Sequence, residues 1–197
     1  MNFFFNRSEQ GEAGPLRIDL YGASVDATGS ASRVVRLPAP FNAPLGSVRS
    51  SYSVAFSRTH AFWTVNNDGS LDVHAFSMKL DGEWIPADMS LELPGDCVLH
   101  EFEYAFWAVP YAPLLFFSAK ERDASCKVLP GSPSDVFVVK LNEAGLPEGV
   151  PVPVAGVSQP GKSDAEPSLS PDSCWLYFAS ERDTPDKLRL FRAHRVE

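Results

Sequence analysis

Four short runs rich in aromatic residues recur along the 197-residue chain, and this recurrence restricts the fold more than any other feature. Each run has the length of one β-strand and ends in Asn or Glu, usually followed by Arg. Aromatic residues favour strands, and a motif that returns along a chain indicates a repeated structural unit. The four runs lie at residues 3–8, 61–68, 114–123 and 175–183.

A second predicted strand follows each aromatic run, at residues 16–21, 71–76, 135–139 and 188–191. A triplet recurs in these strands, in which an acid is followed by an aliphatic residue and then by an aromatic residue or His. The triplets are Asp19-Leu20-Tyr21, Asp72-Val73-His74, Asp135-Val136-Phe137 and, with a base in place of the acid, Arg189-Leu190-Phe191. The spacings between the triplets are 53, 63 and 54 residues. The chain therefore repeats a unit of a size that suits one small antiparallel sheet.

Two further strands complete most units. One follows the triplet, at residues 33–37, 89–93 and 150–154, and one precedes the aromatic run, at 52–56, 104–108 and 166–170. Turns rich in Gly and Pro separate the strands, and no helical period is present.

The resulting count is fourteen strands, just under four blades of a β-propeller, beginning in the middle of a blade. We expect one all-β domain over residues 1–197, with four-stranded antiparallel blades in an incomplete or open ring. The predicted blades cover about 1–45, 46–96, 97–156 and 157–197.

These motifs resemble the TolB-like β-propeller repeat, which combines an acid, a Ser-Pro-Asp turn, a Tyr-Phe-x-Ser-x-Arg strand and an Asp-Ile-Tyr triplet. The fourth unit matches from Glu166 to Asp172 and from Leu176 to Arg182, and the first has Asp19-Leu20-Tyr21. The linker at residues 37–42 and the turn at 81–84 are also similar to that family. The resemblance implies a larger, six-bladed ring. It also implies a role outside the cytoplasm, where many proteins of that family act as interaction modules or are attached to enzymes.

The repeated polar residues have a structural interpretation. Ser170, Pro171 and Asp172 suit a tight hairpin turn, because proline presets φ and the Asp side chain can bond to nearby amides. An alternative is the related Asp-box turn of sialidase propellers, which Cys174 interrupts. The sequence further predicts structural ion pairs or backbone braces between two recurring sets, Arg7, Arg122 and Arg182 on one strand and Asp19, Asp72 and Asp135 on the next. We expect the aromatic residues, Tyr21 among them, to pack between blades.

Charge and composition exclude several partners. The formal net charge is −8 and no basic cluster stands out, which argues against nucleic acid and anionic membranes. No apolar run is long enough to span a bilayer. No secretory signal is recognisable, so we expect a cytoplasmic localisation if the chain is complete. If the chain is a truncated relative of the family, we expect an extracytoplasmic localisation. The three cysteines show no metal-site spacing, and we expect free thiols and no bound cofactor.

One group of residues could serve a ligand. In a propeller the inner strand of each blade borders the axis, so the loops that enter it open at one mouth. The acidic approach to the third and fourth blades carries His100, Glu101, Glu103, Asp164 and Glu166. Such a mouth suits a divalent cation, a cationic ligand or a sugar, including paired carboxylates for glycoside chemistry. The alternative is that these are solvated rim charges or caps of strand-end amides.

No nucleophile elbow, phosphate loop or dinucleotide fingerprint occurs, so we assign no catalytic residue. The favoured hypothesis is a non-enzymatic scaffold for protein recognition through loops or the axial mouth. A carbohydrate-active hydrolase or lyase at the mouth is one alternative, and a fragment of a larger propeller without independent function is another. Open blade edges further predict self-association.

Overall fold

The computed structural model describes residues 2–9, 17–43, 50–56, 59–66, 73–81, 87–88, 91–93, 97–99, 107–108, 113–120, 127, 129–170, 172–185 and 187–194. These residues form sixteen strands and no helix, and every strand pairing is antiparallel. The prediction of an all-β, propeller-like fold of about four blades is confirmed.

Blades one and two lie in the first half of the chain. Blade one has three strands in the order β1 (Asn2–Glu9), β2 (Arg17–Val25), β3 (Ala31–Arg36). Blade two has four, β4 (Ser50–Phe56), β5 (His60–Asn66), β6 (Val73–Lys79) and β7 (Ala87–Asp88). A separate hairpin of β8 (Leu91–Leu93) and β9 (Cys97–Leu99) follows.

Blades three and four complete the described fold. Blade three has β10 (Trp107–Ala108), β11 (Leu114–Lys120), β12 (Ser134–Leu141) and β13 (Pro147–Pro153). Blade four has three strands, β14 (Asp164–Leu169), β15 (Trp175–Ser180) and β16 (Arg189–His194). The strands are named by their place in a blade. The inner strands are β4, β10 and β14, and the aromatic strands that follow are β1, β5, β11 and β15. The third strands are β2, β6, β12 and β16, and the outer strands are β3, β7 and β13.

An aromatic residue of the aromatic strand lies opposite one of the third strand in every blade. Residues opposite each other in a ladder share a face of the sheet, so their rings can stack. In blades two, three and four the ring centroids are 5.7, 5.7 and 6.1 Å apart and the rings are stacked. The four pairs are Phe5 and Tyr21, Trp63 and Phe76, Phe117 and Phe137, and Phe178 and Phe191.

The ladder of blade two corrects two details of the sequence prediction. The place of Tyr21 is taken by Phe76, which lies opposite Trp63, and not by His74 of the predicted triplet. The outer strand of this blade is β7, whereas Leu91–Leu93, part of the predicted strand 89–93, pairs with β9 instead. The pairing of Trp63 with Phe76 sets the register of this blade. The acidic triplet that begins at Asp72 does not mark the equivalent position.

The hydrophobic core lies between neighbouring blades, in three clusters. Between blades one and two, Leu20 and Phe41 belong to one cluster with Trp63. Between blades three and four, Val136 belongs to one cluster with Phe178. The cluster between blades two and three contains Ala55, Phe62, Leu115, Phe117, Ala119, Val139 and Leu141. The aromatic strands β5 and β15 therefore each cover an aliphatic residue of the preceding blade, while β11 covers Ala55 and Phe62, and both faces of the internal blades are buried.

The inner strands contact one another, as expected of strands next to a propeller axis. Strand contacts join blade one to two, two to three and three to four. No contact of similar extent joins blade one to blade four among the residues that the structure describes.

The linkers after blades one and three hold the third strands by side-chain hydrogen bonds. Asn42 accepts from the Leu20 amide at 2.8 Å and donates to the Leu20 and Leu37 carbonyls at 2.7 and 2.8 Å. Ser158 does the same for Val136, accepting from its amide at 3.1 Å and donating to its carbonyl at 3.0 Å. These bonds fix the linker against the strand that faces the next blade.

We expect Asn42→Ala to lower the free energy of unfolding by about 3 kcal/mol, because the buried Leu20 amide loses its side-chain partner and the Leu20 and Leu37 carbonyls each lose one donor. Urea denaturation followed by tryptophan fluorescence measures the change. The matched control is Asn142→Ala, which removes an exposed turn residue with two amide contacts and should cost no more than about 1 kcal/mol. An equal loss of unfolding free energy in the two variants would contradict this structural role of Asn42.

Candidate functional site

Blade four differs from the other blades at its third strand, β16. In blade one the carbonyl of Leu20 accepts from the amide of Leu37 at 2.9 Å, and in blade three the carbonyl of Val136 accepts from Val154 at 2.9 Å. Leu190 stands at the same place of the ladder, one residue before the aromatic Phe191. No outer strand and no linker residue covers the Leu190 backbone among the described residues. This open margin of β16 is the candidate binding edge.

The segment around the edge is basic in an acidic chain, which corrects the sequence-based statement that no basic cluster stands out. Residues 187–195 contain four Lys or Arg residues and no Asp or Glu, while the whole chain has a net charge of −8. Arg189 and Arg192 are exposed, as are Leu188 and Leu190. The guanidinium of Arg192 lies 4.3 Å from the centre of the Trp175 ring. The edge thus offers aliphatic side chains between cations, and an acidic segment suits it best.

Of the five residues predicted to line an acidic mouth, only two lie among the residues that the structure describes. Asp164 is fully buried at the start of β14 and accepts from Arg182 at 2.9 Å and from the Gln159 amide at 3.0 Å. Glu166 is exposed, with φ of +55°, where the register of β14 shifts against β15. The other three residues of the prediction, His100, Glu101 and Glu103, lie outside the described residues, so their convergence stays a prediction.

Arg182 joins four parts of blade four. Its Nε donates to the Ser180 hydroxyl at 2.9 Å, and one Nη donates to the Val157 carbonyl at 2.6 Å and to Asp164. The guanidinium also lies over the rings of Phe178 and Phe191, at 4.6 and 5.0 Å. Such a bonded cation ties the linker, the inner strand and the aromatic pair together.

Blade one has a similar brace with different residues. Arg7 and Asp19 are opposite each other in the ladder, as the strand pattern predicts. The carboxylate of Asp19 is held by Arg36 at 2.7 and 3.0 Å, and Arg36 also donates to the Ala43 carbonyl at 2.6 Å. Arg7 instead lies over the Tyr21 ring, 5.7 Å from its centre.

The remaining residues of the repeated sets are placed only in part. Asp135 is half-buried opposite Ala119 in blade three. Asp72, Arg122 and Pro171 lie outside the described residues.

The Ser170 turn connects β14 and β15 and is held by side chains. The Ser170 hydroxyl donates to Asp172 and accepts from the Trp175 amide at 2.9 Å, while Asp172 accepts from the Cys174 amide at 3.0 Å. The Ser170 and Cys174 donors lower the pKa of Asp172, because they stabilise its charged form. These bonds give the turn a structural role.

Sequence reasoning missed a second recurring turn, between the third and outer strands. Asp26 accepts from the amides of Thr28 and Ser30, and Asn142 accepts in the same way from Ala144 and Leu146. Asp26 and Asn142 each stand five places after the aromatic residue of their third strand, a spacing visible in the sequence. The basic run at 187–195 was also visible, whereas Asn42 and Ser158 share no residue type that could reveal their common role.

His60 locks blade two to blade three. It is the first residue of β5 and is only 5% exposed. Gly145 of blade three, with φ of +73°, packs against its ring so closely that an added Cβ would lie 2.5 Å from Cδ2. Burial lowers the pKa of His60, Lys79 lowers it further, and Asp81 and the Ala144 backbone act in the opposite direction.

No group of three or more residues able to hold a metal ion occurs in the described part of the chain. Within that part, no helix has the length and apolar character that crossing a membrane requires. The geometry thus presents structural braces and an open strand edge, and the described residues form an all-β, propeller-like protein.

Comparisons with known proteins add little to this description. No protein-family model matches the chain. No curated protein matches it either. Among solved structures, the chain is similar to the puromycin hydrolase S511A mutant complexed with PGG, at 14% identity and a TM-score of 0.34. The match covers 98% of this chain and 36% of that one, and at this TM-score it carries no argument about fold or function.

We expect Arg182→Met to lower the free energy of unfolding by about 3–5 kcal/mol, because the buried Asp164 carboxylate loses its cation. Chemical denaturation measures the loss, and adding Asp164→Asn should recover part of it. The control is Lys140→Met, which breaks an exposed pair with Glu148 and should cost less than about 0.5 kcal/mol. A loss below about 1 kcal/mol in Arg182→Met would contradict the brace.

We expect stability to fall as the pH drops below about 6.5, because the unfolded chain then binds a proton at His60 that the folded chain resists. Above that pH both states hold a neutral imidazole and the contribution is constant. Denaturation midpoints between pH 5 and pH 8 measure the effect, and His60→Gln should show a smaller decline than the parent. Parallel pH curves for the two proteins would refute this role for His60.

Proposed function

We propose that the chain is a non-enzymatic binding scaffold that recognises a protein partner by strand addition at β16. The observation that carries the proposal is the open margin at Leu190. Blades one, two and three each have an outer strand beside the third strand, and blade four has none among the described residues. An extended segment of another protein can fill this place with main-chain hydrogen bonds, the mode known as β-augmentation.

The partner's chemistry follows from the charges beside the edge. In blades one, two and three, the outer strand places Val35, Ala87 and Val152 opposite the position that Arg192 holds in blade four. A partner strand therefore meets a cation where the chain's own outer strands meet uncharged residues. We infer an extended segment that alternates aliphatic and acidic residues, with the acids towards Arg192.

The same blade disfavours the catalytic alternative. A hydrolase at the axial mouth needs carboxylates that are free to act on a substrate. The Asp164 carboxylate is occupied by Arg182 and the Gln159 amide, which suits a brace. The similarity of the Ser170 turn and the Tyr177 strand to the TolB-like repeat supports the assignment of a TolB-like interaction module, which we also propose.

The test is the binding of a fluorescent peptide of alternating Val and Glu, measured by anisotropy. We expect binding that weakens with salt, that falls at least tenfold in Arg192→Glu, and that is lost when alternate peptide amides are methylated. The control variant is Lys140→Glu, the same charge change beside an edge that β13 already covers. Equal binding of a Val and Lys peptide, or no effect of amide methylation, would overturn the proposal.

A further inference from the structure

The broad face of blade four that points away from blade three is an unfilled blade-to-blade contact, and we propose that the first blade of a second copy of this chain occupies it. The inference goes beyond the proposed function, because it concerns side chains on the face and not the backbone of the edge. We call this surface the terminal face; it contains Trp175, Tyr177, Leu190, Arg192 and His194.

The terminal face corresponds to faces that the other blades bury. Leu20 in blade one and Val136 in blade three are 0% exposed, covered by the next blade, whereas Leu190 at the same ladder position is 76% exposed. Phe62 in blade two is 0% exposed against blade three, whereas its counterpart Tyr177 is half-exposed. A large apolar side chain left open at a place that is otherwise buried marks an interaction surface.

The rings on the terminal face are already arranged for contact. Trp175 lies opposite His194 in the ladder with ring centroids 4.5 Å apart, and Arg192 lies over Trp175. Aromatic residues and arginine are the types that contribute most at protein interfaces.

The contacts inside the chain indicate what covers such a face. Leu20 is covered by the aromatic strand of the next blade, at Ala61 and Trp63, and Val136 by Leu176 and Phe178 of blade four. In the ladder of β1, the corresponding places are held by Phe3, opposite Ala23, and Phe5, opposite Tyr21. Blade one thus has the sequence of a blade that covers a preceding one.

The equivalence between blades favours a head-to-tail contact between copies. Two terminal faces brought together symmetrically would place the exposed Arg192 of each copy near the Arg192 of the other, at a cost in free energy. A head-to-tail contact instead sets Arg192 against the first blade, where the exposed Arg7 lies opposite Asp19 in the ladder, so that two identical cationic faces do not meet. A head-to-tail contact of this kind closes into a ring or extends as a filament.

Sedimentation equilibrium tests the proposal. We expect the weight-average mass of the parent protein to exceed the chain mass of 21.5 kDa and to rise with concentration. Leu190→Glu should weaken association at least tenfold. Val152→Glu is the control, because Val152 is a similarly exposed aliphatic residue on the outer strand β13, and it should associate like the parent.

A mixing experiment tests the head-to-tail geometry. Phe5→Glu disrupts the contact surface of the first blade and leaves the terminal face intact, whereas Leu190→Glu disrupts the terminal face and leaves the first blade intact. Each variant alone should therefore be monomeric. A mixture of the two should form a heterodimer. Cooperative melting by circular dichroism establishes that each variant is folded, and Phe3→Glu replaces Phe5→Glu if that variant is not. A monomeric parent protein, parent-like association of Leu190→Glu, or folded variants that do not combine would each overturn the proposal.

Discussion

The packing of an aromatic strand on an aliphatic residue of the preceding blade is the contact on which the rest of the structure depends. Trp63 covers Leu20, and Phe178 covers Val136. Full burial of one such side chain contributes about 1.5–3 kcal/mol, far more than an exposed ion pair. A sheet must bury its apolar faces against another element, so each blade depends on its neighbours for stability.

The polar braces follow from that packing. When blades press together, the third strand and the linker that leaves it are removed from water, and their amides and carbonyls need partners. Asn42 and Ser158 supply them for Leu20 and Val136, and Arg182 supplies them around Val157. The buried Asp164 is tolerated for the same reason, since its charge is matched within hydrogen-bond distance.

Sequence reasoning located the elements that depend on local chemistry. The aromatic strands and the Ser170 turn could be predicted, because strand propensity and turn geometry are properties of adjacent residues. The sequence prediction misaligned blade two, because the triplet that begins at Asp72 resembles the repeated triplet. The register is instead set by the pairing of Trp63 with Phe76. The burial of His60 could not be predicted either, since it depends on Gly145 of the next blade, which no local pattern shows.

The candidate edge was hidden for a related reason. Leu190 sits in a strand that looks like the other third strands, and only the missing neighbour makes it exposed. The sequence indicates which residues form a blade. Which element packs beside that blade is determined by the tertiary structure. The basic residues around Leu190 were visible from the outset, yet their meaning depends on an open margin that the fold alone reveals.

Amide hydrogen exchange at the three equivalent leucine and valine positions tests this account most directly. At low protein concentration, the amides of Leu20 and Val136 should exchange slowly, because each is bonded to a linker side chain, and the amide of Leu190 should exchange rapidly. Protection at Leu190 should appear only when a partner strand is added. Equal protection of all three amides in the dilute, isolated chain would contradict an open margin on blade four.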